Sequence, residues 1–80
     1  MWKVYILHSE KTDRYYTGVT DDIEWRLERH NQGWSRSTKH GIPWKVVYTE
    51  EYMNKSEALK REREIKVRKS KKYIESLIKK

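Results

Sequence analysis

Residues 2–20 read WKVYILHSEKTDRYYTGVT, and this stretch decides the fold of the chain. Side chains of residues 2–8 alternate between two faces, which predicts a β-strand. Residues 9–14 are polar and predict a turn. Residues 15–19 are aromatic and β-branched, which is typical of a second strand. Together these segments predict an antiparallel β-hairpin at the start of the chain.

The segment after the hairpin predicts a helix and a loop. Asp21 or Asp22 is suited to cap a helix, because a short carboxylate accepts hydrogen bonds from free amides of the first turn. The helix is predicted to run to about Asn31, and Gly33 is predicted to end it. Residues 34–43 are mostly polar and predict a loop.

The remaining segments complete an α+β pattern. Residues 44–48 predict a third strand, and either Asn54 or Ser56 is predicted to cap a helix that extends to about Lys69. Ser70 is predicted to cap a final amphipathic helix. The resulting order, ββαβαα, predicts a small three-stranded antiparallel sheet flanked by helices.

Composition limits the class of protein. The chain has 80 residues and a mean hydropathy of -1.18, so we expect one domain over residues 1–80. Four Trp and six Tyr argue against disorder, because aromatic rings bury large areas. The absence of Cys excludes disulfides and thiol catalysis. The longest apolar run, residues 4–7, is too short for a membrane span, and no secretion signal is visible. We therefore expect a cytoplasmic protein.

The positive charge lies at one end of the chain. Residues 1–54 contain eight Lys or Arg and eight Asp or Glu, whereas residues 55–80 contain eleven and four. This asymmetry favours a polyanionic partner such as a nucleic acid. The alternative is a solvated helical face that only keeps the chain in solution. The cations expected to contact a nucleic-acid backbone are Lys60, Arg61, Arg63, Lys66, Arg68 and Lys69.

One carboxylate lies among apolar positions of the second predicted helix. At about 100° per residue, with Ala58 at zero, Ile65 falls at about 340°, Glu62 at about 40° and Leu59 at about 100°. Glu62 therefore lies in the middle of the apolar arc, whereas Arg61 and Arg63 are expected to face outward. A carboxylate in that position needs a cation, a proton or a salt bridge, unless it lies at the wet edge of the arc.

The first predicted helix has the same unusual feature. With Ile23 at zero, His30 falls at about 340°, and Arg26, at about 300°, borders the same apolar face. Both helices are thus predicted to present a polar group to one face of the sheet. Trp25 falls at about 200°, on the outer face, where its indole either stacks on a nucleobase or packs on the loop of residues 34–43.

These residues occur in an order and spacing that resemble the GIY-YIG endonuclease family, in particular its small single-domain branch (the UPF0213 group). The first motif corresponds to Lys3-Val4-Tyr5 and the second to Tyr16-Thr17-Gly18. The arginine of the family falls on Arg26, eight positions after the motif glycine, and His30 follows one turn later. The glutamate of the family falls on Glu62, at the end of Ala58-Leu59-Lys60-Arg61-Glu62.

The resemblance implies metal-dependent hydrolysis of a phosphodiester bond. Glu62 would hold Mg²⁺ or Mn²⁺, and Arg26 would bind the phosphate and stabilise the transition state. Tyr5 would orient or deprotonate the attacking water, with Tyr16 beside it. His30 would either accept the proton or position Tyr5, and the sequence leaves both roles open.

The resemblance also implies a nucleic-acid partner, most simply DNA, at branched or damaged structures in repair, with a partner protein as a possible source of specificity. Three positions depart from the family pattern. Lys3 replaces the first glycine, Thr17 replaces an isoleucine, and Val19 stands where some repair members have lysine. Two alternatives remain open, namely a non-catalytic nucleic-acid-binding module and a protein-docking module that uses the helix of residues 70–80.

Overall fold

In the computed structural model, which describes residues 1–68 and 70–79, the chain forms the predicted ββαβαα order. A short 3-10 turn, Lys39–Gly41, lies in the loop between the first helix and the third strand. The predicted end of the second long helix at Lys69 lies outside the described residues. The elements are β1 (Trp2–Ser9), β2 (Arg14–Thr20), α1 (Ile23–Asn31), β3 (Trp44–Tyr52), α2 (Lys55–Arg68) and α3 (Lys71–Ile78).

The sheet has the strand order β2-β1-β3, and both pairs are antiparallel. Tyr5 on the central strand pairs with Gly18, and Leu7 pairs with Tyr16, so the two tyrosines share one face of the sheet. Strand β3 continues to Tyr52, four residues beyond the predicted end. Strand β2 is an edge strand, and its outer edge is free to border a cleft.

Apolar side chains form a core on each face of the sheet. Val4 and Ile6 pack with Ala58 and Ile65 of α2 and with Leu77 of α3. These five residues are each at most 4% exposed, which makes this cluster the main apolar core among the described residues.

The opposite face carries α1. Tyr5, Leu7 and Trp44 form a second buried cluster there, and Ile23 and Leu27 of α1 pack against it. The prediction that both long helices present polar groups to one face of the sheet is therefore wrong. Helix α1 and helix α2 cover opposite faces, because residues two apart on β1 belong to one layer and their neighbours belong to the other.

The structure shows which residue of each predicted pair caps its helix. Asp22 Oδ1 accepts a hydrogen bond from the Trp25 amide at 3.1 Å, and Asn54 Oδ1 accepts one from the Glu57 amide at 2.9 Å. Ser70 caps α3 in the same way, as predicted. These side chains fix where α1 and α2 begin, and thus where their polar residues lie relative to the sheet.

A polar network explains why β3 is longer than its apolar pattern predicts. Glu50 accepts two hydrogen bonds from Arg61, at 2.9 and 3.2 Å, and further hydrogen bonds from the hydroxyl groups of Tyr48 and Tyr52. Arg61 also donates to the Tyr73 hydroxyl at 3.2 Å. The prediction that Arg61 faces outward is wrong, because its side chain is only 21% exposed and lies against the sheet.

We expect the Arg61→Ala substitution to destabilise the fold by about 2 kcal/mol at neutral pH, because it leaves Glu50 largely buried without its cation. Burial alone would raise the pKa of Glu50, but Arg61 and the two phenols together lower it below its ordinary value. The stabilisation is therefore complete at neutral pH and is lost as the pH falls through the lowered value.

Urea unfolding at neutral pH and at a pH below the lowered pKa of Glu50 tests this prediction. The gap between wild type and Arg61→Ala should narrow in acid, where Glu50 becomes protonated. Arg63→Ala is the matched control on the same helix, since Arg63 is exposed, and it should change the free energy of unfolding by less than about 0.5 kcal/mol. Equal effects of the two substitutions would contradict the role of the network.

No helix in residues 1–68 and 70–79 combines the length and the apolar character that crossing a membrane requires.

Candidate active site

A cleft runs along the free edge of β2, between α1 on one face of the sheet and α2 on the other. Its lining includes four of the five predicted catalytic residues. Tyr5, Tyr16 and Gly18 come from the hairpin, Trp25 and Arg26 come from α1, and Lys55, Leu59 and Glu62 come from one side of α2. The fifth, His30, lies directly behind Tyr5.

The glycine of the second motif makes room for Tyr5. A Cβ atom on Gly18 would lie 2.5 Å from the Tyr5 hydroxyl oxygen, which is far inside van der Waals contact. The Tyr5 ring therefore crosses directly over the backbone of its β2 partner, and its hydroxyl reaches towards the cleft. Gly18 is needed here because of this close approach.

A chain of hydrogen bonds extends from Tyr5 into the protein. The Tyr5 hydroxyl lies 3.0 Å from His30 Nε2, and His30 Nδ1 lies 2.8 Å from Thr38 Oγ1. Thr38 Oγ1 also donates to the Ser35 carbonyl at 3.4 Å, so its hydroxyl oxygen is available as an acceptor. We therefore assign the Nδ1–H tautomer, in which Nε2 accepts the proton of Tyr5.

Burial and charge keep this pair neutral at neutral pH. Burial lowers the pKa of His30, and the Arg26 guanidinium lowers it further. Burial raises the pKa of Tyr5, and the nearby Tyr16 and Glu62 add to this, whereas Arg26 opposes it. The resting site thus contains a neutral phenol that donates to a neutral imidazole.

Arg26 has a donor available for a ligand. Its Nε atom is buried and has no hydrogen-bond partner among the described residues. A buried unpaired donor is costly, so such atoms commonly mark a place where a ligand or water completes the hydrogen bonds. An anion bound in the cleft would satisfy this donor, because guanidinium groups bind phosphate oxygens through paired N–H groups.

Glu62 lies on the α2 wall, and its side chain is 20% exposed. It is flanked by the buried residues Ala58 and Ile65, and its Oε2 atom lies 3.5 Å from Lys66 Nζ. Of the alternatives left open for this carboxylate, the structure favours a position at the wet edge of the apolar arc with a cation beside it. The carboxylate therefore remains accessible from the cleft.

The donor set fits a hard divalent cation that keeps most of its water. Among residues 1–68 and 70–79, no three His, Asp or Glu side chains are grouped as metal ligands, so Glu62 is the candidate protein ligand. Mg²⁺ is commonly held by one or two carboxylates together with waters and substrate phosphate oxygens. A single accessible glutamate opposite Arg26 is consistent with that mode.

Tyr16 packs on the hydrogen-bonded pair. Its ring centroid lies 4.9 Å from that of His30 and 6.3 Å from that of Tyr5. Lys66 Nζ lies 5.7 Å from the centre of the Tyr16 ring, on the α2 side. Tyr16 therefore connects the imidazole, the first tyrosine and the basic helix, which suits it to positioning these groups.

The predicted nucleic-acid contacts fall into different environments. Lys60, Arg63, Lys66 and Arg68 are exposed along α2, whereas Arg61 is bound to Glu50. Lys69 lies outside the described residues. Trp25 is half exposed, and its indole contacts the guanidinium of Arg29.

Sequence reasoning missed Thr38, which is 1% exposed and contacts His30. Trp44 Nε1 donates to the Thr38 carbonyl at 2.6 Å, and Asn31 bonds to the backbone of Trp44, which fixes the loop against β3. Thr38 is one of several polar residues in a loop without periodicity, so its spacing carries no signal. The clue available in the sequence was that a buried His needs a hydrogen-bond partner, which a nearby hydroxyl can supply.

A comparison with known families finds that residues 1–74 match the model of the GIY-YIG catalytic domain. The chain belongs to the GIY-YIG family. The positions of Tyr5, Tyr16, Arg26 and Glu62 along one cleft are consistent with that assignment.

This GIY-YIG domain is also similar to individual proteins. The UPF0213 proteins SA0446 and MW0443 of Staphylococcus aureus (strains N315 and MW2) are each 52% identical to it over 52 residues. That match covers 64% of this chain and 63% of each relative, less than two thirds of their length. The solution NMR structure of the UPF0213 protein BH0048 from Bacillus halodurans has a TM-score of 0.60 and 32% identity, over 99% of this chain and 84% of that one.

Proposed function

We propose that this chain is a metal-dependent endonuclease that hydrolyses phosphodiester bonds of DNA. The observation that carries the proposal is the position of Arg26, whose buried Nε lacks a partner among the described residues, in one cleft with the Tyr5 hydroxyl and the Glu62 carboxylate. A phosphate bound between α1 and α2 would meet a guanidinium, a phenol and a metal-binding carboxylate together.

Arg26 binds the scissile phosphate. Its forked donors contact two oxygens, and its charge stabilises the additional negative charge of the transition state. The bound phosphate also offsets the field of Arg26 at His30. Because Arg26 lowers the pKa of His30, that partial neutralisation makes the imidazole a better proton acceptor when substrate is present.

Glu62 holds Mg²⁺ or Mn²⁺. When bound, the cation supplies charge neutralisation at the scissile phosphate and at the departing 3′-oxygen. Lys66 lies next to this carboxylate, and its ammonium group can turn towards solvent because its side chain is 51% exposed.

Tyr5 and His30 carry the proton of the attacking water. The water gives a proton to the Tyr5 oxygen while the Tyr5 proton passes to His30 Nε2, and Thr38 accepts the Nδ1–H that holds the imidazole in place. The water oxygen forms a bond to phosphorus as the bond from phosphorus to the 3′-oxygen breaks. The 3′-oxygen takes a proton from solvent, which leaves a 5′-phosphate and a 3′-hydroxyl.

The exposed cations of α2 bind the DNA backbone. Lys60, Arg63, Lys66 and Arg68 lie on the helix that also carries Glu62, and Lys69 continues this run in the sequence. Such contacts give affinity that depends on salt and not on base sequence. We therefore propose that DNA structure, such as a branch or a damaged position in repair, or a partner protein determines where the enzyme cuts.

A panel of labelled oligonucleotides tests the proposal. A linear duplex, a flap, a three-way junction and an RNA duplex are incubated with Mg²⁺, Mn²⁺ or EDTA, and binding is measured across a salt series. Cleavage of DNA with a metal and none with EDTA is the expected result. Salt-sensitive binding to all substrates without cleavage in either metal would overturn the nuclease and favour a non-catalytic binding module.

We expect Gly18→Ala to slow cleavage by about 10²-fold, because the new methyl group displaces the Tyr5 hydroxyl by a substantial fraction of an ångström. Single-turnover cleavage at saturating DNA measures the effect. Circular dichroism and urea unfolding identify any loss of fold. A folded variant with an unchanged rate would contradict the role given to the Tyr5 position.

A further inference from the structure

An arginine lies between two exposed tryptophans on the outer side of α1. The Arg29 Cζ atom is 4.5 Å from the ring centre of Trp25 and 4.1 Å from that of Trp34. Trp25 is 47% exposed and Trp34 is 68% exposed. We call these three side chains the stacking ladder. Large indoles that remain this open in a small domain commonly mark a binding surface.

The ladder carries positive charge that the protein does not neutralise. Among the described residues, Arg29 forms no ion pair. Counted from Ile23 around the helix, Trp25, Arg29 and Arg26 fall at about 200°, about 240° and about 300°. Glu24 falls at about 100°, away from this side. Glu28, at about 140°, lies at the margin of the ladder, where its carboxylate accepts a hydrogen bond from Gln32 at 3.2 Å. The ladder is therefore an aromatic and cationic strip, which suits an anionic ligand with flat rings.

Local hydrogen bonds hold Trp34 in place without burying it. Its indole Nε1 donates to Gln32 Oε1 at 2.9 Å, and its amide donates to the Arg29 carbonyl at 3.2 Å. Gly33, with φ of 81°, supplies the left-handed turn that brings Trp34 back over α1. The ring is thus pre-organised while much of its surface stays in water.

The ladder adjoins the candidate active site. Trp25 lines the cleft that holds Tyr5, Arg26 and Glu62. Trp25 also lines a neighbouring hollow, together with Trp34 and Arg29. A strand that leaves the cleft past Arg26 therefore reaches the ladder within a short distance.

We propose that the stacking ladder binds an unpaired nucleobase of the DNA strand next to the scissile phosphate. The base stacks on the open face of Trp34, and Arg29 donates to a phosphate of the same strand. This inference rests on the proposed function and deepens it, because it names the substrate class as DNA with a single-stranded segment beside the cut. A base inside a duplex offers no free ring face to the ladder.

The test compares a fluorescent oligothymidine of about 10 nucleotides with an abasic oligomer of the same length. Binding to the full chain is measured by anisotropy in EDTA at one fixed salt concentration. We expect the wild type to bind oligothymidine about tenfold more tightly than the abasic strand. Trp34→Ala should reduce this ratio to within about twofold, and Trp34→Phe should retain most of it because a flat ring remains.

Arg36→Ala is the matched control for charge, since Arg36 is exposed in the same loop. Its loss should lower both affinities together and leave the ratio unchanged. The ladder proposal is overturned if the wild type binds both strands equally, or if a folded Trp34→Ala variant keeps the full ratio. Either result would favour a surface for a protein partner instead.

The outcomes separate this inference from the proposed function, because the binding measurement contains no metal and needs no cleavage. A base-dependent affinity that Trp34→Ala removes, in a chain that never cleaves DNA, supports the ladder and overturns the nuclease. Metal-dependent cleavage by a chain that binds oligothymidine and the abasic strand equally well supports the nuclease and overturns the ladder.

Discussion

Glu62→Gln is expected to reduce metal-dependent cleavage of DNA by about 10²-fold or more while leaving the fold intact. The amide keeps the size of the side chain, which is 20% exposed, but it removes the negative charge that would hold Mg²⁺ or Mn²⁺. The variant should bind DNA in EDTA at least as well as wild type, since one negative charge near the phosphate is lost. Single-turnover cleavage and anisotropy measure the two effects.

Glu64→Gln provides the matched control for this substitution. Glu64 lies two residues further along α2, is 53% exposed and pairs with Arg61 at 3.4 Å, outside the cleft. Its loss should leave the cleavage rate within about twofold of wild type. If Glu62→Gln and Glu64→Gln cleave equally well, Glu62 is not the metal ligand and any observed nicking comes from elsewhere.

Arg26→Ala should slow cleavage by about 10²- to 10³-fold at saturating DNA, because it removes the principal donor to the developing charge. Arg26→Lys should fail to restore the rate. Lysine presents a single ammonium group and lacks the buried Nε donor and the planar fork. Lys11→Ala in the exposed hairpin turn removes one charge away from the cleft and should retain the wild-type rate.

Arg26→Ala also has a measurable effect that does not depend on cleavage. Arg26 lowers the pKa of His30, so Arg26→Ala should raise that pKa towards the ordinary value of histidine. An NMR titration of the imidazole measures the change, and His30→Gln assigns the signal among the three histidines. A slower variant with an unchanged His30 pKa would contradict the electrostatic coupling proposed between Arg26 and the proton path.

The sequence predicted the sheet and the helices well, because their signals are local. Alternation over residues 2–8 and the polar turn that follows define the hairpin, and the cap residues mark the starts of the helices. The end of β3 was missed because Glu50 and Glu51 interrupt the apolar pattern. Glu50 is tolerated in the sheet because Arg61 and two tyrosines surround it. Arg61 lies on another element and Tyr52 lies beyond the predicted strand, so the strand pattern does not reveal these two partners.

The sequence also could not predict which face of the sheet each helix covers. Winding a helix gives the angle between two residues, such as Ala58 and Glu62, but it does not say which face of the sheet the helix covers. The candidate residues still converge, because β2 is an edge strand and helices on both faces reach its free side. This geometry depends on strand order, which periodicity does not encode.

Part of the candidate site could likewise be predicted from the sequence, and part could not. Motif spacing led to Tyr5, Tyr16, Arg26, His30 and Glu62, and the structure brings them to one edge of the sheet. Loop residues could not be found in this manner. Thr38 and Trp34 act through contacts with α1 that depend on the path of residues 32–43, and no repeat or period marks them.

The measurement that tests the central claim most directly is nicking of supercoiled plasmid, followed by treatment with DNA ligase. With Mg²⁺ or Mn²⁺ the wild-type chain should produce nicks that ligase reseals, because hydrolysis leaves a 5′-phosphate and a 3′-hydroxyl. EDTA, or Glu62→Gln purified in parallel, should prevent the nicks. Plasmid that stays supercoiled in both metals, or nicks that appear equally in EDTA, would contradict a metal-dependent nuclease at this cleft.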